Sequence, residues 1–315
     1  MEKPDVSILE IFGISQIDTA VKDASKALFG KGKVPPSQFD LSSIKIFKPD
    51  ISFPTWLGIK RKDRKAPIYN FYNRSRPPID DAFSVKVTYA EDFTGGKWTY
   101  NSHMGTDFAI PVGTHVVTCA PGKVIRISSQ LDHGGLKIFI DHGKGLITTY
   151  AHLSRALVEE GEKVGRGAPI ALSGAAGLEL ILLFPWISPH LHLNVILNGD
   201  PVDPFAIPGE TPLWLHGNDP VPHHGVSDDD FMPTEWNEAL LDNAISFCSD
   251  TEEREYLKNI TNLVKKAAEV INYRMFYNTL FSDFPPIYEK EYERIPILDL
   301  PFRKEDYTGA AFPGK

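Results

Sequence analysis

The sequence predicts an α+β protein, in which a mainly β core, built as an antiparallel sheet, carries a helical C-terminal extension. Short β-rich runs separated by glycine-containing turns follow one another from 83 to 205. No helix of ordinary length fits among them, which argues against alternating strand–helix units. After Pro233 the apolar residues recur at three- and four-residue spacing, which predicts helices at 236–248 and from 250 to about 281.

Four segments follow from these changes of pattern. Residues 1–82 are expected to form an N-terminal extension with one short helix followed by proline-rich loops. Residues 83–207 are expected to form the β domain, and residues 208–233 a linker. Residues 234–315 are expected to form the helical C-terminal extension. The length of 315 residues permits one large domain or two ordinary ones.

In the N-terminal segment, an apolar stripe predicts the short helix, with Ser15 as its cap and Gly30 near its end. The stripe consists of Ile17, Ala20, Val21, Ala24 and Leu28. The run from 60 to 65 is basic and could meet an anionic polymer or a membrane surface, although a solvated loop explains it more simply. The aromatic run at 69–72 is expected to form an edge strand or to pack on the β domain.

Composition and charge narrow the classes of function. Hydrophobic residues make up 42% of the chain and charged residues 23%, as in soluble globular proteins. The formal net charge of −8 gives no electrostatic reason to expect nucleic acid as a partner. The two cysteines, Cys119 and Cys248, are too few for a disulfide framework or a cysteine-based zinc site, so buried free thiols are expected.

The first residues show no secretory pattern, and no apolar run approaches the roughly 18 residues of a membrane span. The longest apolar stretch, 178–187, is short and contains Glu179 and Pro185. A transmembrane segment is therefore not expected. Localisation stays open between the cytoplasm and export by a non-standard route, and the oligomeric state stays open as well.

His190 and His192 lie two residues apart in a run, 191–197, that is typical of a strand. Because strand side chains alternate, both imidazoles are expected to point to one face of the sheet. Two buried histidines on one face are costly unless they are ligated or paired. A pair of hydrogen-bonded polar groups at a sheet edge explains these two residues alone equally well.

His103 and Asp107 favour a metal site. Gly105 and Pro111 argue against a helix here, but a loop that leads into a strand can turn both side chains inward. Together with His192 they supply three ligands of the types that zinc accepts and leave a fourth position for water. Cobalt or manganese would suit the same donors, so zinc is preferred for its commonness more than for geometry.

His152 follows a predicted strand and is a candidate for orienting or deprotonating the metal-bound water. His190 could do the same or stabilise the developing oxyanion. Bound zinc lowers the pKa of its water to about 7, so a neutral imidazole nearby is a suitable base. The chemistry predicted is amide hydrolysis, in which hydroxide attacks a polarised carbonyl and a protonated histidine assists the leaving amine.

These residues lie in motifs that resemble those of the M23 metallopeptidases, the lysostaphin/LytM-type zinc endopeptidases. The motifs that carry them are His103-Met-Gly-Thr-Asp107, Tyr150-Ala-His152-Leu and Pro189-His190-Leu-His192. Further strand and turn motifs between 111 and 174 occur in the family's usual order. The resemblance covers residues 100–205, a third of the chain.

The resemblance implies an antiparallel sheet of the LytM/lysostaphin type, with a groove whose floor carries the metal. It implies that His103, Asp107 and His192 bind Zn²⁺, and that His152 and His190 are the catalytic histidines. It also implies a metalloendopeptidase that hydrolyses peptide bonds in the stems or cross-links of bacterial peptidoglycan. Such a family member is expected in the periplasm or outside the cell.

The sequence departs from the family pattern after Ser173-Gly174, where 178–187 is longer and more apolar than the usual link. This segment either borders the groove or packs against a flanking segment. Asp141 and Glu179 are weak candidates for supporting groups. The alternative function is a non-enzymatic LytM-like module that binds the cell wall or activates another hydrolase, although such modules typically lose ligands and all five positions are filled here. A third interpretation is a zymogen in which 35–80 or the C-terminal helices occupy the groove.

Overall fold

A mainly antiparallel sheet of eleven strands lies at the centre of the described chain. The computed structural model describes residues 5–14, 17–75, 83–225 and 231–314. The strands are β1 (Lys65–Asn70), β2 (Thr106–Ala109), β3 (His115–Val117), β4 (Gly122–Gln130), β5 (Gly135–Asp141), β6 (Leu146–Ala156), β7 (Lys163–Val164), β8 (Pro169–Ser173), β9 (His190–Leu197), β10 (Asp200–Val202) and β11 (Gly309–Ala311). They pair in the order β11-β1-β2-β9-β6-β5-β4-β7, with β10 on β9 and β8 joining β3 to β6.

Helices lie mainly towards the two ends of the chain. They are α1 (Ile8–Ile11), α2 (Ile17–Phe29), α3 (Pro49–Trp56), α4 (Leu178–Leu182), α5 (Glu238–Ser246), α6 (Thr251–Lys258) and α7 (Leu263–Phe276), with 3₁₀ helices at Leu41–Ile46 and Asn278–Leu280. The predicted α+β class, with its antiparallel core, is confirmed. The domain boundaries stay a prediction. In the part of the chain that the structure describes, no helix is both long and apolar enough to cross a bilayer.

The two faces of the sheet carry separate hydrophobic cores because strand side chains alternate. On β9, Leu191, Leu193 and Val195 join one core, whereas Ile196 joins the other. The second core is completed by α5, α6 and α7, which pack side chains such as Ile271 against the sheet. The sequence suggested that the C-terminal helices form an extension attached to the β domain. In the structure these helices are part of its second hydrophobic core.

Both extensions also add strands to the sheet. β1 pairs antiparallel with β2, and β11 pairs in parallel with β1. The described residues between 35 and 75 thus form a 3₁₀ helix, α3 and β1, and the prediction of proline-rich loops is wrong for them. Pro49 is compatible with α3 because it lies in the first turn, where its missing N–H has no helical partner.

Two local predictions are also wrong. The alternating run 83–89 forms no strand, because two of its backbone N–H groups donate to the side chain of Asn101 instead of to a neighbouring strand. The helix expected from 250 to 281 is divided into α6 and α7. Asn262 starts the second helix by accepting a hydrogen bond from a backbone N–H of its first turn.

α2 lies where the apolar stripe predicted it, but its cap, Ser15, lies outside the described residues. The stripe does not face the core, since Ile17 and Val21 are 72% and 63% exposed. Amphipathic spacing therefore predicted the helix correctly without predicting what the helix packs on. Cys119 and Cys248 are buried and free, as expected from their number.

Candidate metal centre and active site

The pairing of β2 with β9 places Asp107 and His192 side by side. Asp107 lies directly opposite His192, and Ala109 lies opposite His190. His190 and His192 face the same side of the sheet, as their two-residue spacing predicted. Ile196, further along β9, points to this side and contacts the C-terminal helices, so the site lies on the face that those helices partly cover.

His103 reaches the same point from the loop that precedes β2. Its Nε2 lies 3.0 Å from Asp107 Oδ1 and 3.1 Å from His192 Nδ1. His192 Nδ1 in turn lies 2.7 Å from Asp107 Oδ1. All three side chains are buried, and their donor atoms lie within 4.8 Å of one another. Gly105 allows this approach, since a Cβ there would lie 2.7 Å from His192 Nε2.

The chemistry of these donors fits a metal ion. His103 Nδ1 donates to the carbonyl oxygen of Phe71 at 2.5 Å, so Nε2 is the unprotonated nitrogen of the neutral ring. That lone pair faces the Asp107 carboxylate, and buried acceptors that meet in this way need a cation or a proton between them. The donor spacings of 2.7–3.1 Å lie slightly below the spacing of about 3.3 Å for tetrahedral ligands at zinc bond lengths.

Burial and neighbouring charges set the protonation of the cluster. Burial opposes ionisation of Asp107, but the surrounding histidines outweigh it and hold the pKa of the carboxyl well below its ordinary value. Burial lowers the pKa of His192 from 6.5, and Asp107 partly offsets this effect. Both groups are therefore in the protonation states that bind a metal at neutral pH.

His190 and His152 flank the three candidate ligands. His190 Nδ1 donates to the carbonyl oxygen of Ser188 at 2.7 Å, and His152 Nδ1 donates to that of Ala176 at 2.7 Å. Each neutral ring therefore keeps Nε2 as an acceptor. His190 Nε2 lies 3.6 Å from Asp107 Oδ1, and the ring centroids of His152 and His190 are 4.6 Å apart. The structure thus brings all five candidate residues together.

A bulge in β6 turns His152 toward the site. Tyr150 and Leu153 both belong to the core on the opposite face, although they are three positions apart. Between them His152 has a φ of 59°, in the left-handed region that non-glycine residues seldom occupy. Strict alternation would put His152 on the same face as Tyr150. The positive φ therefore turns the imidazole to the face of the candidate metal ligands. Strained backbone of this kind clusters at functional sites.

A cavity of about 370 Å³ opens beside these residues. The N-terminal extension contributes Tyr72 to its lining, and the segment after β8 contributes Glu179. The C-terminal extension contributes the end of α7 and the residues that follow, up to Phe284. The described parts of both extensions therefore line this space, whereas the zymogen interpretation has them occupying it.

The segment 178–187 borders the cavity and also packs against the N-terminal extension. Glu179 Oε1 lies 3.6 Å from His152 Nε2, and burial raises the pKa of Glu179 to about 7. Phe184 packs edge-on against Trp56 of α3, with 4.8 Å between ring centroids. The segment thus has both of the roles that the sequence left as alternatives, and Glu179, a weak candidate from the sequence, lies beside His152.

Asn70 of the N-terminal extension contacts the site and is itself held by Lys48, and neither residue is singled out by the sequence. Asn70 donates to Asp107 Oδ2 at 2.8 Å, and Lys48 Nζ donates to Asn70 Oδ1 at 3.0 Å. Asn70 lies opposite Asp107 in the pairing of β1 with β2. The sequence signal was a polar residue inside the aromatic run 69–72, which does not distinguish a supporting group from a packing strand.

Comparison with known proteins agrees with this geometry. Residues 101–204 match the family model described as Peptidase family M23. The peptidoglycan DD-endopeptidase ShyA of Vibrio cholerae is 42% identical over 101 residues, which are 32% of this chain and 22% of that protein. An uncharacterized metalloprotease of Haemophilus influenzae is 36% identical over 105 residues, which are 33% of this chain and 21% of that protein. The chain thus spans about a fifth of the length of these curated relatives.

Among solved structures, the catalytic domain of lysostaphin from Staphylococcus simulans is 30% identical, with a TM-score of 0.28. The match covers 32% of this chain and 75% of that domain. The segment matched by the family model contains all five candidate residues, and the resemblance seen in the motifs is confirmed. β1, β11 and the helices α5 to α7 lie outside that segment.

Proposed function

Because residues 101–204 match the model of Peptidase family M23, we propose that the protein is a zinc metalloendopeptidase that hydrolyses peptide bonds in the stems or cross-links of peptidoglycan. The proposal depends on one observation: the buried side chains of His103, Asp107 and His192 lie together, with His190 beside them and His152 at the adjoining cavity. The name of the Vibrio cholerae relative supports peptidoglycan as the substrate.

Three residues would hold the zinc ion: His103 through Nε2, Asp107 through Oδ1 and His192 through Nδ1. When bound, zinc is a Lewis acid that polarises the scissile carbonyl and lowers the pKa of a water molecule to about 7. Three protein ligands leave one position open, which is typical of catalytic and not of structural zinc sites.

His152 and His190 would carry out the proton transfers and stabilise charge. Burial lowers the pKa of His152 well below 6.5, so its Nε2 is free to accept a proton from the attacking water. The same nitrogen can then donate that proton to the leaving amine, which balances the protons of the hydrolysis. His190, whose Nε2 lies 3.6 Å from Asp107 Oδ1, would stabilise the developing oxyanion in its protonated form.

The non-enzymatic alternative is not favoured, because such modules typically lose ligands and every ligand position is filled here. The test begins with elemental analysis, which should find about one zinc per chain. His103→Ala and Asp107→Ala should lose the metal. His152→Ala should keep it and lose turnover by about 100-fold or more, because general acid–base catalysis contributes that much.

Mass spectrometry of digested muropeptides measures the activity and identifies the bond that is cut. His216→Ala is the matched control, since His216 is exposed and lies outside the site; it should keep both metal and activity. Stoichiometric zinc without cleavage of any muropeptide or glycine-rich peptide would contradict the endopeptidase proposal and favour a binding module.

A further inference from the structure

Asn70 connects the N-terminal extension to Asp107. Its side-chain amide donates to Asp107 Oδ2 at 2.8 Å, while the other carboxylate oxygen faces His103 and His192. Asn70 is 4% exposed and is fixed opposite Asp107 by the pairing of β1 with β2. The carboxylate is therefore oriented with one oxygen on the amide and the other toward the metal position. Hydrogen bonds behind metal ligands orient the ligands and tune the site.

The neighbours of this asparagine in the chain hold two other groups of the site. The carbonyl oxygen of Phe71 accepts a hydrogen bond from His103 Nδ1 and so fixes the tautomer that presents Nε2. The ring of Tyr69 stacks on His190, with centroids 6.0 Å apart and planes 14° apart. Residues 69–71, here called the clamp segment, thus contact three separate members of the candidate site.

Lys48, which immediately precedes α3, holds the clamp segment in place. Its Nζ donates to Asn70 Oδ1 at 3.0 Å and to the carbonyl oxygen of Tyr69. It also lies 4.4 Å from the ring centroids of Tyr69 and Trp98. Because Nζ donates to Asn70 Oδ1, it leaves the nitrogen end of the Asn70 amide facing Asp107. A reversed amide would place an oxygen against the carboxylate.

From these contacts we propose that Lys48 and Asn70 are positioning residues of the metal centre, and that the N-terminal extension is a permanent part of it. This inference rests on the proposed function, since it concerns the same metal site. It goes beyond the family match, which begins at residue 101. Removal of a pro-region would activate the protein. Loss of the clamp segment, in contrast, would weaken metal binding.

The experiment measures the zinc affinity of the full-length chain by competition with a chromogenic chelator, in Asn70→Leu and Lys48→Met. Leucine has nearly the shape of asparagine, and methionine keeps the stem of lysine, so each change mainly removes hydrogen bonds. Both variants should bind zinc about 10- to 100-fold more weakly. Asn243→Leu and Lys45→Met, both at exposed positions, are the matched controls and should keep wild-type affinity.

Thermal unfolding of the metal-free proteins shows which variants are folded, and Lys48→Met decides the question if Asn70→Leu does not fold. The double variant should lose little more affinity than Asn70→Leu alone, because Lys48 acts mainly through Asn70. Wild-type zinc affinity in the folded variants overturns the inference and leaves the proposed function standing. A wild-type chain that binds no zinc overturns both.

Discussion

Replacement of Glu179 by glutamine should make the protein more stable and less active. The Glu179 side chain lines the cavity, is 16% exposed, and places Oε1 3.6 Å from His152 Nε2. Glu179→Gln keeps the shape of the side chain and removes its ionisation. The substitution therefore tests two effects of the carboxyl separately: its contribution to turnover and its effect on the free energy of unfolding.

The size of the stability effect follows from the pKa. Burial raises the pKa of Glu179 from 4.5 to about 7, so the folded protein binds this proton more tightly than the unfolded chain does. The stability linked to that proton is fully present below pH 4.5 and is lost as the pH rises to about 7. The difference between the two values corresponds to about 3 kcal/mol. Residual exposure reduces this to about 2 kcal/mol, which Glu179→Gln should recover above pH 7.

Turnover should change in the opposite direction. His152 Nδ1 donates to the carbonyl oxygen of Ala176, so the lone pair of Nε2 faces Glu179. The Glu179 carboxyl can take up the proton that this nitrogen accepts and return it, whereas a glutamine amide can form hydrogen bonds but neither takes up nor releases a proton. Catalytic hydrogen bonds are often long before substrate binds, so 3.6 Å does not exclude this contact. We expect kcat to fall about tenfold, equivalent to about 1.4 kcal/mol, with KM and zinc content unchanged.

Urea unfolding of the metal-free proteins at about pH 5 and about pH 8 measures the stability difference, which should be several times larger at the higher pH. Initial rates on muropeptides give kcat and KM over the same range. Glu291→Gln, at an exposed position, is the matched control and should change neither quantity. Wild-type kcat together with unchanged stability at the higher pH would refute the assigned role of Glu179.

Two further predictions concern the ligands and the C-terminal helices. Zinc should be released only below pH 6.5, because burial keeps the pKa of His192 under that value and the neutral ring is the form that binds the metal. Elemental analysis after dialysis along a pH series measures the release. Release above pH 6.5 would contradict the prediction. Ile271→Ala should destabilise the protein by about 2–4 kcal/mol, because this α7 side chain is fully buried against the sheet. Urea unfolding tests it, and a loss below about 1 kcal/mol would show that α7 is not integral to the fold.

Short-range patterns were sufficient to predict the class of fold and to single out five residues that the structure brings together. His190 and His192 share a face because a strand repeats every two residues, and this repeat is visible in the sequence. His152 shows the limit of that rule. Its φ of 59° reverses the alternation of β6, so periodicity alone assigns it to the wrong face. His152 was a candidate because it is a histidine next to a predicted strand and lies in a family motif, and not because of its face.

The clamp segment could not be predicted because its contacts join distant parts of the chain. Asn70 and Asp107 are 37 residues apart, and only the pairing of β1 with β2 brings them together. The strand expected at 83–89 was wrong although its local pattern is that of a strand. Backbone N–H groups of this run donate to a side chain and not to a partner strand. Strand pairing is a property of the whole chain, and local composition does not specify it.

The two extensions act on different parts of the candidate site. The N-terminal extension contacts the candidate metal ligands from behind, through Lys48 and the clamp segment. The C-terminal extension builds a wall of the cavity, where Arg274 pairs with Asp200 and lies 3.6 Å from the ring centroid of Phe284. Metal affinity and the shape of the groove are thus assigned to separate segments, both outside the family match. Under the proposed function, changes in the wall should alter the choice of peptide and leave the candidate ligands in place, because the hydrogen bonds to Asp107 and His103 described above come from the N-terminal extension.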